Sequence, residues 1–319
     1  MAQSSSSAQP VGIGWSSAAL AIFVSILWGG NIVSLKIALA TVPPFWCAFW
    51  RMVLGAAVLS AWALSRGVPL RPLKGEGRGL FGLGMLFAVQ IALMNEGALM
   101  TSPAFGEVII NSYAIFANVV AHFAMNERLN GSRALGLALA FAGLCLVAFS
   151  RPDSALAPKP LEGNLVMILS SILLGIRQVY TRWLVQGTHP ARAVVWMLLW
   201  SIPAFLLGSL VTGEPLLLRE LTWRPVAAIA YQGVVVAGVC FVGWAWLLRK
   251  HPAGSISMFS FLVPFAGIAF SMALLGEPLR KGLLMGAALA VGGLLLVAFS
   301  GRSVTRDRPA GTAVRSSSR

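Results

Sequence analysis

Four polar residues share one face of a predicted membrane-spanning helix and are the first candidates for chemistry. Glu107, Asn111, Asn118 and His122 are spaced four, seven and four residues apart. At about 100° per residue, this spacing places them within roughly 60° of one another on a helix. Such a face has no favourable contact with lipid tails. It is interpreted either as one wall of a water-filled path or as a set of hydrogen bonds between helices.

Four charged residues of the first half lie at similar predicted depths. They are Lys36, Arg51, Glu96 and Glu107. Because two cations and two carboxylates at one depth can neutralise each other, we predict a charge cluster or gate. Arg51 lies about six residues, or about 9 Å, inside its helix, and Glu96 or Glu107 is its expected partner, as a clamp or as a gate. Lys36 lies nearer a helix end, and instead of joining the cluster it could extend its side chain to the lipid headgroups.

Arg177 is a deep charge in the second half, and no acidic residue lies in any predicted span of that half. A lone guanidinium in a membrane needs a carboxylate or several carbonyl groups. The hypothesis is that Arg177, beside Gln178 and Tyr180, binds an anionic group of a substrate, such as an amino-acid carboxylate. The alternative is an ion pair with Glu107 across the halves.

These residues belong to a chain that divides into ten apolar runs. Each run is close to the roughly 20 residues that a helix needs to cross a bilayer core. The predicted spans are 18–40, 45–64, 80–99, 105–125, 133–150, 164–185, 192–211, 226–248, 255–275 and 282–300. Glycine, proline and charged residues cluster between them. The sequence therefore predicts an all-α integral membrane protein with ten transmembrane helices.

The chain contains an internal duplication. Glu127, Leu129, Gly136 and Gly143 recur in the same register, with further matches around them, as Glu277, Leu279, Gly286 and Gly293. Because each repeat holds five spans, an odd number, the halves are predicted to be inverted relative to each other. Inverted repeats are the usual architecture of secondary transporters, with the substrate site near the midplane between the halves. The glycines recur at seven residues, so the fifth and tenth spans are interpreted as a close-packed scaffold.

The repeat sets the expected domain boundaries. They are a disordered tail at 1–17, a first five-helix repeat at 18–150, a linker at 151–163, a second repeat at 164–300 and a basic tail at 301–319. When Gly29 is aligned with Gly175, Asn31 corresponds to Arg177, so the repeat keeps a polar side chain there. Trp28 and Asn31 therefore complete the candidate cavity, although tryptophan in such a span more often packs or anchors at the interface.

Composition limits the function classes. The 319 residues are 57% hydrophobic and 11% charged, the formal net charge is +14 and the mean hydropathy is +0.80. The basic residues lie in short loops and the tail, which favours contact with anionic lipid and not with nucleic acid. No G-x-x-x-x-G-K-[ST] run occurs, and Cys47, Cys145 and Cys240 are isolated, so no nucleotide, metal or other cofactor is expected.

The distribution of basic residues also predicts orientation. With the amino end in the cytoplasm, the inner loops and the tail hold more Lys and Arg than the outer loops do. The positive-inside rule therefore favours cytoplasmic positions for both termini.

With these features in place, the chain resembles an EamA-type member of the drug/metabolite transporter superfamily. The resemblance spans roughly 18–300 and rests on Leu27-Trp28-Gly29-Gly30-Asn31 with Lys36, Pro43-Pro44, Trp50-Arg51, Asn126-Glu127-Arg128-Leu129 and Leu275-Gly276-Glu277-Pro278-Leu279. The family often has a proline inside the fourth span, as here in the ninth at Pro264. The aligned residue in the fourth span is Ala114, which removes the usual reason to expect a bend there.

The resemblance implies an inner-membrane carrier of small metabolites or drugs, frequently an exporter, without an ATP-binding domain. Our first hypothesis is a secondary carrier, monomeric or homodimeric, that rocks one half against the other. It is driven by proton exchange through Glu107 or Glu96, or by substrate exchange. The alternatives are a membrane-embedded enzyme or lipid-handling factor, and a channel.

Overall fold

The computed structural model describes residues 14–125, 130–150, 152, 154–215, 222–251 and 256–303. All regular structure in these ranges is helical, and ten stretches are long and apolar enough to cross a membrane. They are Trp15–Leu39, Pro44–Ser65, Glu76–Met100, Pro103–Met125, Gly131–Phe149, Pro160–Leu184, Pro190–Thr212, Trp223–Trp244, Met258–Leu275 and Lys281–Phe299. The ten predicted spans are confirmed, with ends that differ by a few residues, and the protein is a multi-pass membrane protein.

The predicted tails need small corrections at their inner ends. The first helix begins at Trp15, within the tail predicted for 1–17, and the last helix continues to Ser303. The rest of both tails, the motif at 126–129 and residues 151 and 153 of the expected linker lie outside the described residues.

Seven helices form the first five spans. They are α1 (Trp15–Gly29), α2 (Asn31–Leu39), α3 (Pro44–Ser65), α4 (Glu76–Met100), α5 (Pro103–Asn111), α6 (Tyr113–Met125) and α7 (Gly131–Phe149). The second five spans contain α8 (Pro160–Leu184), α9 (Pro190–Thr212), α10 (Trp223–Ala230), a π-helix (Tyr231–Cys240), α11 (Phe241–Lys250), a 3₁₀-helix (Ser257–Leu262), α12 (Val263–Leu275) and α13 (Lys281–Ser303).

Two spans predicted as continuous helices are interrupted. The first breaks at Gly30, where the Tyr231 hydroxyl approaches so closely that a Cβ would lie 2.5 Å from it. The fourth breaks at Ser112, whose hydroxyl donates to the Ile109 carbonyl at 2.6 Å. Serine can compete with the helix for backbone groups in this way, so a bend occurs without the proline that the family often has. In the ninth span, Pro264 lies in the first turn of α12, directly after the 3₁₀-helix.

Charged side chains satisfy backbone groups at three helix ends. The Glu214 carboxylate accepts from Phe45 N at 3.1 Å and from Trp46 N at 3.2 Å, at the start of α3. The Glu277 carboxylate accepts from Ala104 N at 3.1 Å, at the start of α5. The Lys36 ammonium donates to carbonyls at the end of α4, to those of Ala98 at 2.6 Å, Leu99 at 2.9 Å and Thr101 at 3.0 Å. These signs match the helix dipole, which favours anions at the amino end and cations at the carboxyl end.

The turn after α12 explains how Glu277 reaches α5. Gly276 ends α12 with a left-handed φ of 65°, a conformation in which glycine is least strained. The next residue, Glu277, is then turned inward, is 4% exposed and accepts a hydrogen bond from the Ser271 hydroxyl. Because Pro103 has no N–H, the Ala104 N–H that Glu277 binds is the first one available in α5.

Helices α7 and α13 cross in close, antiparallel contact through four glycines. A Cβ at Gly136 would lie 2.6 Å from the Gly293 carbonyl oxygen, and one at Gly143 would lie 2.6 Å from that of Gly286. Both distances are far shorter than a real Cβ contact, so only glycine permits this approach. The predicted small-residue scaffold is thus the place where the fifth and tenth spans meet.

We expect Gly143→Ala to destabilise the protein by about 1 to 3 kcal/mol, because the added methyl group would overlap the α13 backbone. Gly292→Ala is the matched control, since nothing lies within 4 Å of a Cβ there. The apparent Tm in detergent, followed by loss of the monodisperse size-exclusion peak, measures the difference. Equal Tm values for the two variants would contradict the close contact.

Glu277→Ala should lower stability by about 1 to 2 kcal/mol, because the first N–H of α5 would lose its acceptor inside the bundle. Glu277→Gln keeps an acceptor oxygen and should lose less than half of that amount. The same Tm assay separates the two variants. An alanine variant as stable as the glutamine variant would show that the cap contributes nothing.

Candidate functional site

The interruption of the first span forms a polar junction with the fourth span. The Glu107 carboxylate accepts from Ile32 N, in the first turn of α2, at 3.3 Å. It also accepts from Asn111 Nδ2 at 2.9 Å, and the same amide donates to the Glu107 carbonyl at 2.8 Å. Glu107 is 2% exposed. The carboxylate therefore caps the half-helix that begins after Gly30.

Two residues of the second half complete this junction, and sequence reasoning missed both. The Tyr231 hydroxyl donates to the Leu27 carbonyl at 2.5 Å, beside the break, and lies within electrostatic range of Glu107. Gly267 of α12 lies against the Glu107 side chain, so that a Cβ there would overlap its Cγ. We name Gly30, Asn111, Glu107, Tyr231 and Gly267 the Glu107 junction. Its members come from both halves.

Arg177 lies apart from this junction, among α4, α8 and α9. Its Nη1 donates to the Met197 sulfur at 3.3 Å, and its guanidinium lies 4.8 Å from the centroid of the Phe87 ring. Its Nε is buried without a hydrogen-bond partner. Tyr113 lies within electrostatic range, and the hydroxyl of Tyr113 is hydrogen-bonded to Gln178. The alternative pair of Arg177 with Glu107 is wrong, because Glu107 binds Ile32 and Asn111 instead.

The expected cluster of two cations and two acids does not form. Lys36 binds three carbonyls at the end of α4, so neither headgroup contact nor ion pairing describes it. Arg51 makes no ion pair within the described residues, and its buried Nε and Nη1 have no hydrogen-bond partner. Glu96 lies within range of another acid, Glu214. Similar depth did not bring these side chains together, because they point in different directions around their helices.

The other members of the predicted polar face separate at the Ser112 break. Asn118 donates to the Ala114 carbonyl of its own helix at 2.8 Å, and His122 packs edge-on against Phe123 with 4.9 Å between ring centroids. Glu107 and Asn111 remain bonded to each other. Glu107 and Asn111 therefore lie on α5 and Asn118 and His122 on α6, and the shared polar wall stays a prediction.

The remaining candidates have mainly packing contacts. Trp28 packs against Phe241 and Trp244, with centroid distances of 6.0 and 5.1 Å. Tyr180 donates to the Gly79 carbonyl at 3.2 Å, near the start of α4. Asn31 has a buried Oδ1 with no hydrogen-bond partner, which makes it the most available of the three for a ligand.

A small crevice lies where α5, α6, α12 and α13 meet. Asn111, Ser112 and Tyr113 line one side of it, and Ser260 and Pro264 line another. Asn111 bonds to Glu107 on one side of the break, and on the other side Tyr113 is within range of Arg177. The crevice is thus lined by Asn111, which binds the Glu107 carboxylate, and by Tyr113, which lies within electrostatic range of Arg177.

An ion pair between the halves was also missed by sequence reasoning. Arg192 Nη1 lies 2.8 Å from Glu76 Oε1 and 2.9 Å from Oε2, and both side chains are less than a tenth exposed. The two residues are far apart in the sequence, with Glu76 inside a predicted loop and Arg192 at the start of a predicted span. No spacing pattern could have paired them.

Comparison with known proteins gives consistent results. The chain is 27% identical to a probable amino-acid metabolite efflux pump of Escherichia coli K12, over 88% of this chain and 94% of the relative. It is 23% identical to the uncharacterized transporter YoaV of Bacillus subtilis, over 88% of this chain and 95% of the relative. A solved crystal structure aligns with 90% of this chain and with 99% of its own chain. The TM-score is 0.65 at 19% identity, and this similarity supports the fold.

The model of the EamA-like transporter family matches the chain twice, over residues 15–149 and 161–299. These two matches cover nearly all of the ten spans. The chain therefore belongs to the EamA-like transporter family, within the drug/metabolite transporter superfamily.

Proposed function

We propose that this protein is a secondary transporter that exports small metabolites, such as amino acids or drugs, across the inner membrane by alternating access. Two relatives, from Escherichia coli and Salmonella typhimurium, are named probable amino-acid metabolite efflux pumps. Substrate moves between the halves, past the Glu107 junction, and the crevice lined by Asn111 and Tyr113 is part of its path. An acidic group on the substrate binds at Arg177.

Inverted repeats are part of this proposal, and the helix packing supports them. Spans three and six pack together, as do their counterparts, spans eight and one. Spans four and six also pack together, and so do their counterparts in the other repeat, spans nine and one. Helices α7 and α13 have matching sequences yet cross antiparallel. A two-fold axis in the membrane plane produces this pattern, and both termini then lie on one side, the cytoplasm by the positive-inside rule.

The observation that supports transport most strongly is the Glu107 junction. A carboxylate buried within a membrane span is a typical mark of a proton relay. Glu107 has no cation partner among the described residues, and it contacts α2 of its own half and α12 of the other half. A proton on Glu107 removes the charge that caps α2. Proton binding thus changes the contact between the halves, which is the link that a proton-driven carrier needs.

A counterflow screen tests the transport function. Purified protein in liposomes preloaded with one unlabelled amino acid, organic acid or sugar should accumulate the labelled form of the same compound. The control is Glu277→Ala, which should lose counterflow only to the extent that it unfolds. Chemical turnover of a compound in detergent, with no counterflow of any compound in liposomes, would support the membrane-enzyme alternative and exclude the carrier.

Glu107→Gln should abolish substrate movement driven by a pH gradient and should retain counterflow. The glutamine oxygen still accepts from Ile32 N, so the helix break is preserved while the titratable proton is lost. Glu96→Gln is the matched variant, because Glu96 is the other carboxylate proposed for coupling. Gradient-driven flux that persists in Glu107→Gln and disappears in Glu96→Gln would move the coupling role to Glu96.

A further inference from the structure

Two arginines from opposite halves place two positive charges inside the helix bundle. Arg51 is the eighth residue of α3 and Arg177 is the eighth from the end of α8, so each lies about 10 Å from one helix end. Arg51 is 7% exposed. A Cβ at Gly55, one turn after Arg51, would lie 3.7 Å from the Leu198 side chain of α9. The preceding residue of α9, Met197, accepts from Arg177, so the two guanidinium groups lie close together. Both therefore face a shared region between α3, α4, α8 and α9.

The hydrogen-bonding capacity of these guanidinium groups is largely unused. Within the described residues, Nε and Nη1 of Arg51 and Nε of Arg177 have no hydrogen-bond partner, and neither side chain makes an ion pair. The Met197 sulfur that Arg177 contacts is only a weak acceptor. A buried charge without a partner is strongly unfavourable, and two like charges nearby increase the penalty. Among the described residues, no anion neutralises these two cations.

The carboxylates that could have paired with them are bound elsewhere. Glu107 caps α2, Glu214 caps α3, Glu277 caps α5 and Glu76 pairs with Arg192. The only other recorded neighbours of the two charges are a thiol, Cys47, and a phenol, Tyr113. Glu96 lies near Glu214, and no described acid is recorded beside either arginine to bind the ammonium group of an amino acid.

We propose that Arg51 and Arg177 together bind a small organic dianion, a dicarboxylate or a phosphate ester, as the transported substrate. This inference rests on the proposed function and narrows its substrate class. One anionic group binds at each guanidinium, and the carbon chain between them lies along the Phe87 ring and the Met197 side chain. A monoanion would leave one guanidinium without a partner, so the pair selects for two charges.

Ligand binding to the purified full-length protein in detergent tests this, at fixed ionic strength so that salt effects are equal. Succinate and glycerol 3-phosphate are the probes, and monomethyl succinate is the monoanionic control. At least one dianion should raise the apparent Tm in a saturable way and bind roughly tenfold more tightly than the monoanion, the change expected for one charge-assisted pair. The stronger of the two probes distinguishes a carboxylate site from a phosphate site.

Variants link that preference to the two arginines. Arg51→Gln and Arg177→Gln should each reduce dianion binding roughly tenfold and bring it to the level of the monoanion. Arg51→Lys and Arg177→Lys keep the charge and should retain part of the preference. Arg78→Gln, an exposed cation of α4, is the matched control and should bind as the unmodified protein does.

Equal binding of dianion and monoanion, or a loss in Arg78→Gln as large as in Arg177→Gln, would overturn the proposal. Folding is checked separately by the Tm without ligand, which should not fall in the glutamine variants because an unpaired buried charge is removed. Dianion binding without counterflow would uphold this site and contradict the carrier. Counterflow of neutral amino acids without dianion binding would uphold the carrier and contradict the site.

Discussion

The constraint on which this structure depends is that helix ends inside a hydrocarbon layer must find partners for their backbone groups. Water cannot supply them, and an unsatisfied N–H or C=O there is strongly unfavourable. The protein supplies them with charged side chains from other helices. Glu214 and Glu277 of the second half bind the first N–H groups of α3 and α5 in the first half, and Lys36 binds the last carbonyls of α4. The two carboxylate caps therefore also join the halves.

The same constraint explains where the candidate site forms. An interruption at mid-membrane exposes backbone groups, and the one at Gly30 is satisfied by Glu107 from the fourth span and by Tyr231 from the eighth. A continuous helix would bond these backbone groups itself and would need neither the Glu107 nor the Tyr231 side chain. In contrast, α7 and α13 are uninterrupted and meet through glycines. The fold thus separates a close-packed apolar scaffold from broken helices that carry polar groups.

Sequence predicted the features that depend on composition and periodicity. Apolar length identified ten spans, and the repeat of Gly136 and Gly143 identified the scaffold helices. Sequence did not predict the partner of a side chain where that partner depends on which side of the helix the residue faces, or where it is a backbone group far along the chain. Lys36 found carbonyls rather than an acid, and the Glu277 cap requires a turn that only the folded chain reveals. The Ser112 break divides the predicted polar face between α5 and α6, which residue spacing alone did not indicate. The neighbouring positions of Arg51 and Arg177 were also missed, because a search for ion pairs looks only for opposite charges.

The separate roles of acids and arginines follow from where each charge lies. Carboxylates at helix starts gain from the dipole and from N–H donors, so they are satisfied without a cation. Arg51 and Arg177 lie two turns inside their helices, away from the free carbonyl groups of a helix end. Their charges must be neutralised from outside the helices. Because the two arginines belong to different halves, a movement of one half against the other changes the distance between them. An anion bound to both would therefore favour one arrangement of the halves, and its release would permit the other.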